Sequence, residues 1–289
     1  ALTETYSALV MNPPYMGSKG YSDKLKKYVE ENFKDSKADM FAVFMERCTE
    51  LTKEKRYTTM IVMPSWLFLS SFEKLRIKLL SEKTIDSLLH MGRGIFGIDW
   101  GSVAFVLKNE SNKDNIGTYF RLHKRNFQHI KFEDIGKLFQ YSRNNSNFKY
   151  DFDMYRDEDG TATISETGIE SGQQIKYSTS QQDFHKIPGS PIAYWVSDRV
   201  KEIFEKSEKV GDVGEPRAGL QTSDNKRSLR LWQEIDSSNL GINIENRERA
   251  LESGKRWFSY NKGGEFRKWY GNNEYVVNWY NDGEEIKEY

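Results

Sequence analysis

Four consecutive residues, Asn12-Pro13-Pro14-Tyr15, combine groups that could activate a weakly nucleophilic amine. An exocyclic amine on adenine is a poor nucleophile because its lone pair is delocalised into the ring. Two acceptors placed on its two N–H groups favour the pyramidal, nucleophilic form. The Asn12 side-chain oxygen can supply one acceptor and the Pro13 carbonyl the other. Consecutive prolines fix φ and carry no N–H, so Pro13 and Pro14 hold these carbonyls stiffly. Tyr15 offers a flat face to an extruded base, and Phe96 in Gly92-Arg93-Gly94-Ile95-Phe96-Gly97 is the candidate for the opposite wall. Such a site works by positioning and electrostatic preorganisation and needs neither a covalent intermediate nor a metal. The plainer reading is a turn after a strand. With Pro at about 5% of residues, the tetrapeptide arises by chance in on the order of one chain per thousand of this length, which favours chemistry.

The elements around the motif decide whether it can be presented. Tyr6 to Met11 is an apolar run that reads as a buried strand ended by the proline pair. Ligands of open α/β sheets sit at the carboxyl ends of strands, where this motif falls. Asp23 to Phe33 predicts a charged helix. Asp39 can cap a second helix, with Phe41, Phe44, Met45, Cys48 and Leu51 on one face. Strands are expected at Thr58–Met63, Ile85–Met91 and Ser102–Leu107, with a helix at Phe72–Leu80. The alternation predicts a parallel α/β sheet. Gly92-x-Gly94-x-x-Gly97 has the spacing of a dinucleotide fingerprint, but it precedes a strand and not a helix, so it reads as a loop. From Glu110 to about Pro191 the signal weakens, and polar stretches at Ser142–Phe148 and Asp151–Gln174 read as connectors. A new unit is expected from Ile192, with a helix at Asp198–Lys206.

Composition narrows the classes. The chain of 289 residues has 43 basic and 43 acidic side chains, so any nucleic-acid surface must be a local patch. Cys48 is the single cysteine, which excludes intrachain disulfides and cysteine-cluster zinc sites and suits a reducing cytoplasm. It reads as a buried small hydrophobe. His90, His123, His129 and His185 show no metal-ligand spacing. Asp151, Asp153, Asp157 and Asp159 approach a calcium-loop pattern that Met154, Tyr155 and Arg156 spoil. No metal and no membrane contact is expected. The longest apolar stretch, Met60 to Leu69, is broken by Pro64 and too short to span a bilayer.

A basic patch does occur downstream. Arg217, Lys226, Arg227 and Arg230 stand against one acid, Asp224; Lys255, Arg256, Lys262, Arg267 and Lys268 stand against Glu265. Trp257, Tyr260, Trp269 and Tyr270 are interleaved with the second group. Such a mixture suits a DNA-facing surface, although a solvated charged face over core aromatics has the same composition.

Val10-Met11-Asn12-Pro13-Pro14-Tyr15-Met16-Gly17 resembles the catalytic motif of N6-adenine DNA methyltransferases of the kind fused to restriction enzymes. Ser36-Lys37-Ala38-Asp39-Met40-Phe41-Ala42-Val43-Phe44 and Gly92-Arg93-Gly94-Ile95-Phe96 are more specific and resemble the PglX methyltransferases of BREX phage-defence systems. Ala218-Gly219-Leu220-Gln221-Thr222-Ser223-Asp224-Asn225 and the run from Tyr260 to Tyr270 are similar to that family too, so the likeness covers nearly the whole chain. The resemblance implies a Rossmann-like, S-adenosylmethionine-dependent methyltransferase fold that acts on double-stranded DNA, with other phage-defence subunits as partners. It places Asn12, Pro13, Pro14 and Tyr15 in the catalytic motif and Phe96 at the base-stacking position. The segment holding Thr222 and Asn225 resembles the opening of a target-recognition domain, which adds these two residues to Arg217, Lys226, Arg227, Arg230, Lys262, Arg267 and Lys268 as DNA contacts.

In that family the cofactor loop and its acidic partner precede the Asn-Pro-Pro-Tyr motif, whereas only 11 residues precede Asn12. The expectation is therefore the C-terminal half of the methyltransferase sheet over residues 1–125, a connector over 126–190, and the start of a mixed α+β recognition domain over 191–289. The chain alone is then expected neither to hold S-adenosylmethionine tightly nor to turn over. Two other readings compete. A protein glutamine N5-methyltransferase faces the same two-donor amide, and a non-catalytic DNA-binding or partner-docking module would need no cofactor loop.

Overall fold

The computed structural model describes residues 4–93, 95, 101–124, 129–155, 164–216 and 219–288. Phe96 and Arg217, together with Gly94, Gly97, Asp157 and Asp159, lie outside the described residues. The chain divides into two units, Ala1–Glu208 and Lys209–Tyr289.

The first unit is built on a six-stranded sheet. Its strands are β1 (Tyr6–Met11), β2 (Thr52–Val62), β3 (Thr84–Met91), β4 (Ser102–Lys108), β5 (Ile116–Leu122) and, after two short strands β6 (Lys149–Tyr150) and β7 (Gln173–Gln174) that pair with each other, β8 (Lys176–Ser180). The order across the sheet is β1-β2-β4-β3-β5-β8. β1 is parallel to β2 and β3 is parallel to β5, while β4 runs antiparallel to both β2 and β3, and β8 antiparallel to β5. The sheet is thus mixed, where the alternation of elements predicts a parallel one. β3 and β4 pair directly as antiparallel neighbours, which needs no crossover connection, so β4 is reversed within the sheet. The outcome that matters is shared direction: β1, β2, β3 and β5 all end on one edge.

Successive residues alternate between two cores, as a strand requires. Met60, Val62, Leu88, Val103, Phe105 and Tyr119 enter one core with helices α2 (Met40–Glu50) and α3 (Glu73–Glu82). Ile61, Leu89, Met91, Ala104, Phe120 and Leu122 face the other, which α4 (Phe132–Asn144) covers. Helix α1 (Asp23–Asn32) is mostly exposed and buries Val29 against Phe33, Met40 and Val43.

The polar region after Glu110 is structured, not connecting. Phe148, Tyr150, Phe152, Tyr155, Ile164 and Ile175 are all buried in the second core, and β8 closes the sheet edge. Their irregular spacing among polar residues conceals them from any periodicity test. Residues 191–208 also belong to the first unit. Ile192 and Tyr194 are buried in its main core, Tyr194 stacks on Tyr119 at 4.9 Å, and Lys201 of α5 (Asp198–Lys206) binds Asp183 at 2.9 Å. The division therefore falls after Glu208 and not at residue 191.

Cys48 is buried, 3.8 Å from the Met11 sulfur, and burial pushes its thiol up to about 11 from an ordinary value of 9.0. Because the folded value is raised, the thiol's contribution to stability is intact below pH 9 and is lost as pH climbs towards 11. At about pH 8 the thiolate is roughly a hundred times scarcer than on an unfolded chain, and iodoacetamide labelling followed by mass spectrometry should be slower by at least about that factor. Equal rates in native buffer and in guanidinium would show the thiol to be accessible.

The second unit holds a four-stranded sheet of β9 (Leu229–Leu231), β10 (Leu240–Gly241), β11 (Trp257–Tyr260) and β12 (Tyr275–Asn278), in the order β10-β11-β12-β9. Its core is small, with Leu229, Ala250, Val276 and Val277 buried.

Candidate active site

Asn12 begins where β1 stops, and Asn12, Pro14 and Tyr15 are exposed while Pro13 is buried. The Tyr15 hydroxyl lies 3.1 Å from Asn12 Oδ1 and 3.1 Å from the Ile61 carbonyl at the end of β2. A hydroxyl has one proton, so it donates to one of these oxygens at a time. Donation to Ile61 leaves both lone pairs of Asn12 Oδ1 for an incoming amine. The Tyr15 ring rests on Phe41 (centroids 6.3 Å apart, planes at 57°) and is 36% exposed, so one side is backed and ring surface remains for a base. Burial and the Asp39 carboxylate both raise the Tyr15 pKa, which keeps the hydroxyl a neutral donor.

Asp39 ties the motif to α2. Its Oδ1 accepts from Phe41 N, capping the helix, and from Met16 N, each at 3.2 Å. Met40 N returns a bond to Met16 O at 3.0 Å, so the chain leaving Tyr15 is pinned from both sides. Burial pushes the Asp39 carboxyl up, and the backbone N–H groups it accepts from partly offset this. The sequence predicts Asp39 as a cap; its second role on Met16 has no local signal, because the partner lies 23 residues away.

The far side of the same edge is apolar and basic. His90, two residues before β3 runs into the Gly92 loop, is buried with no partner on either nitrogen among the described residues. It meets His123 edge to face at 4.3 Å and packs near Phe68 and Trp195, over which Arg121 lies at 4.4 Å. Burial first, then His123 and Arg121, hold His90 well below the usual imidazole range, so it is neutral. Ile95 is buried in the second core, which anchors the loop immediately before Phe96.

Among the described residues no glycine-rich turn joins a strand of the sheet to a helix. Among the described residues there is also no cluster of three or more metal-ligating side chains, and no helix is long and apolar enough to cross a membrane.

The basic residues of the second unit divide. Lys226, Arg267 and Lys268 are exposed; Lys262 lies 4.4 Å over Tyr275, and Lys268 lies 5.3 Å over Trp269. Arg227 is engaged by Glu285 at 2.7 Å, and Arg230 donates to the Lys226 and Leu229 carbonyls and lies 5.6 Å over Trp257. Thr222 is buried and donates to Asn225 Oδ1, so it shapes the turn and does not face solvent, contrary to its expected role as a DNA contact. Phe266, Trp269 and Tyr270 are 88%, 87% and 84% exposed, which removes them from any core.

Comparison with known proteins places this arrangement. A family model described as Eco57I restriction-modification methylase matches residues 2–96, which span β1, the motif and β3. Over 99% of its length the chain is 37% identical to the adenine-specific methyltransferase PglX of Lacticaseibacillus casei (strain Zhang). A second relative, the adenine-specific methyltransferase BrxX of Escherichia coli O9:H4 (strain HS), is 35% identical over 99% of the chain. The chain spans 22% and 20% of the lengths of these two relatives. A looser likeness, with a TM-score of 0.43 and 13% identity, extends to a type I restriction-modification methyltransferase subunit from Streptococcus thermophilus, covering 66% of this chain and 38% of that one.

Proposed function

We propose that this sequence forms part of an adenine-specific DNA methyltransferase of a BREX-type phage-defence system, and that Asn12 to Tyr15 receive the target base. The observation that carries the reading is Asn12-Pro13-Pro14-Tyr15, exposed at the carboxyl end of β1 with its tyrosine tied to the end of β2. The Asn12 oxygen and the Pro13 carbonyl accept from the adenine N6 amine, Tyr15 supports one face of the ring, and Phe96 is the candidate for the other. S-adenosylmethionine supplies the methyl group in this reading. As the amine commits its lone pair its nitrogen gains positive charge, and two fixed oxygen acceptors stabilise that charge without reorganising.

Lys226, Lys262, Arg267 and Lys268 form the DNA-facing side of the second unit, Arg217 lies outside the described residues, and the exposed Phe266, Trp269 and Tyr270 add surfaces on which bases can stack. Arg227 and Arg230 are partly committed to internal contacts and contribute less. The names of the relatives, adenine-specific methyltransferases, favour an adenine over a glutamine amide in protein.

The test uses the full-length protein that carries this sequence. Incubated with S-adenosylmethionine bearing a labelled methyl group, it should transfer label to plasmid DNA, recovered as N6-methyladenine after digestion to nucleosides. Label on a Gly-Gly-Gln peptide and none on DNA would replace the reading by glutamine methylation. Duplex binding with no transfer to either would leave a docking module.

A further inference from the structure

Beside the motif, on the side where the chain leaves Tyr15, lies a cleft of about 490 Å³. Lys19, Lys26, Lys34 and Lys37 line it, with Glu30 as the single carboxylate. The fold makes this concentration. Lys26 and Glu30 sit on α1, Lys34 and Lys37 on the turn that returns to α2, and Lys19 on the short turn after the motif, so four cations from three segments share one concavity.

Several lysines elsewhere in this unit are paired: Lys78 with Glu46 at 2.5 Å, Lys137 with Asp134 at 3.0 Å, Lys201 with Asp183 at 2.9 Å. Among the described residues none of the four cleft lysines has a carboxylate within ion-pair distance. Four like charges gathered without partners repel one another, an arrangement that an anion relieves. Tyr21 also lines the cleft, and its hydroxyl is shielded from solvent with no hydrogen-bond partner. A buried O–H without an acceptor is costly. Burial, with Asp39, pushes its pKa up to about 12, so it remains a donor throughout the physiological range.

The cleft begins at the chain segment that leaves the motif. Ser18, three residues past Tyr15, lines it and donates to the Ala38 carbonyl at 3.1 Å, next to the Met16–Asp39 bond. A nucleotide with its base at Tyr15 has a phosphodiester on each side, and extruding it costs a few kcal/mol of lost stacking and pairing that backbone contacts must offset.

We propose that this lysine-lined cleft grips the phosphodiester backbone of the DNA strand carrying the target base, next to the extruded nucleotide. The inference rests on the DNA-methylation reading and adds the surface that holds the strand.

Two double variants test it in the full-length protein, Lys26→Gln with Lys34→Gln, and Lys19→Gln with Lys37→Gln. All four side chains are exposed, so thermal melts should match the parent. Binding of a fluorescein-labelled duplex is followed by anisotropy from about 50 to 200 mM NaCl. Each lost phosphate contact reduces the slope of log K against log salt by about 0.9, so a double variant should lose up to about 1.8. Lys53→Gln with Lys55→Gln, on the exposed bulge of β2 and outside the cleft, should leave the slope unchanged. Cleft variants that shift the slope by less than about 0.3, or no more than the β2 control, overturn the proposal, as does a parent that binds no duplex. Unchanged slopes with methyl transfer to DNA intact would remove the cleft and leave the methylation reading standing. Reduced slopes in a parent that transfers no methyl group would do the reverse.

Discussion

Asn12→Ala in the full-length protein should lower kcat for methyl transfer to DNA by about 10²–10³, the range seen when one preorganised polar group facing a charge-developing atom is deleted. The loss should appear in kcat more than in KM. The Asn12 oxygen meets an amine that is nearly neutral in the bound base and positively charged once its lone pair is used, so the contact strengthens on the way to the transition state. Folding should be unaffected, because Asn12 is exposed and its one side-chain partner among the described residues is the Tyr15 hydroxyl. Tyr15→Phe provides the calibration. It keeps the ring against Phe41 and loses only the bonds to Ile61 O and Asn12, so its kcat should fall by no more than about tenfold. An Asn12→Ala enzyme retaining a tenth or more of the parent kcat would remove Asn12 from the reacting amine.

The second large effect concerns Arg76, which the sequence places inside the apolar stripe of α3 between Leu75 and Leu79. Its side chain is buried, and its guanidinium reaches three main-chain carbonyls: Trp66 O at 2.9 Å, Leu69 O at 2.6 Å and Gly189 O at 2.7 Å. The first two belong to the irregular segment that follows β2, and the third to a turn more than a hundred residues away. Arg76→Leu keeps much of the volume but removes the guanidinium from all three carbonyls; Leu69 O keeps the Phe72 N–H at 3.1 Å, whereas Trp66 O and Gly189 O lose their donors among the described residues, and unsatisfied buried acceptors cost about 1–3 kcal/mol each. A loss of roughly 3–5 kcal/mol is expected, a large share of the 5–15 kcal/mol typical of a folded domain. Urea unfolding should show a lower midpoint with an unchanged m-value. Arg76→Lys should recover only part, because one ammonium cannot span three acceptors that a planar fork reaches at once. A change below about 1 kcal/mol in the leucine variant would show that the carbonyls are satisfied without it.

Arg76 also illustrates what a sequence hides. A lone arginine among leucines is visible in α3, but its partners are backbone atoms, which carry no residue signature. The same holds for the Tyr15 hydroxyl on Ile61 O and for Asp39 on Met16 N. The buried aromatics from Phe148 to Tyr155 were illegible for another reason: they pack from irregular chain, where neither a period of two nor of 3.6 applies. Thr222 and Arg227 looked like free polar groups by type, and the fold commits both to internal partners.

Residue type and local spacing by themselves determined the chemistry on offer and the elements carrying it. Asn12 to Tyr15 identify two acceptors and a flat ring, and short-range patterning located β1, α1, α2 and α5, because those signals are written in neighbouring residues. The tertiary structure decided everything that depends on distant chain segments meeting. It reversed β4 within a sheet expected to be parallel, brought the ends of β1, β2 and β3 to one edge, and kept residues 191–208 in the first unit. It also gathered four lysines, unremarkable in the sequence, into one cleft beside the motif. The physical reason is the same each time: strand pairing, burial and charge clustering are energies between residues far apart in the chain, and no local pattern encodes them.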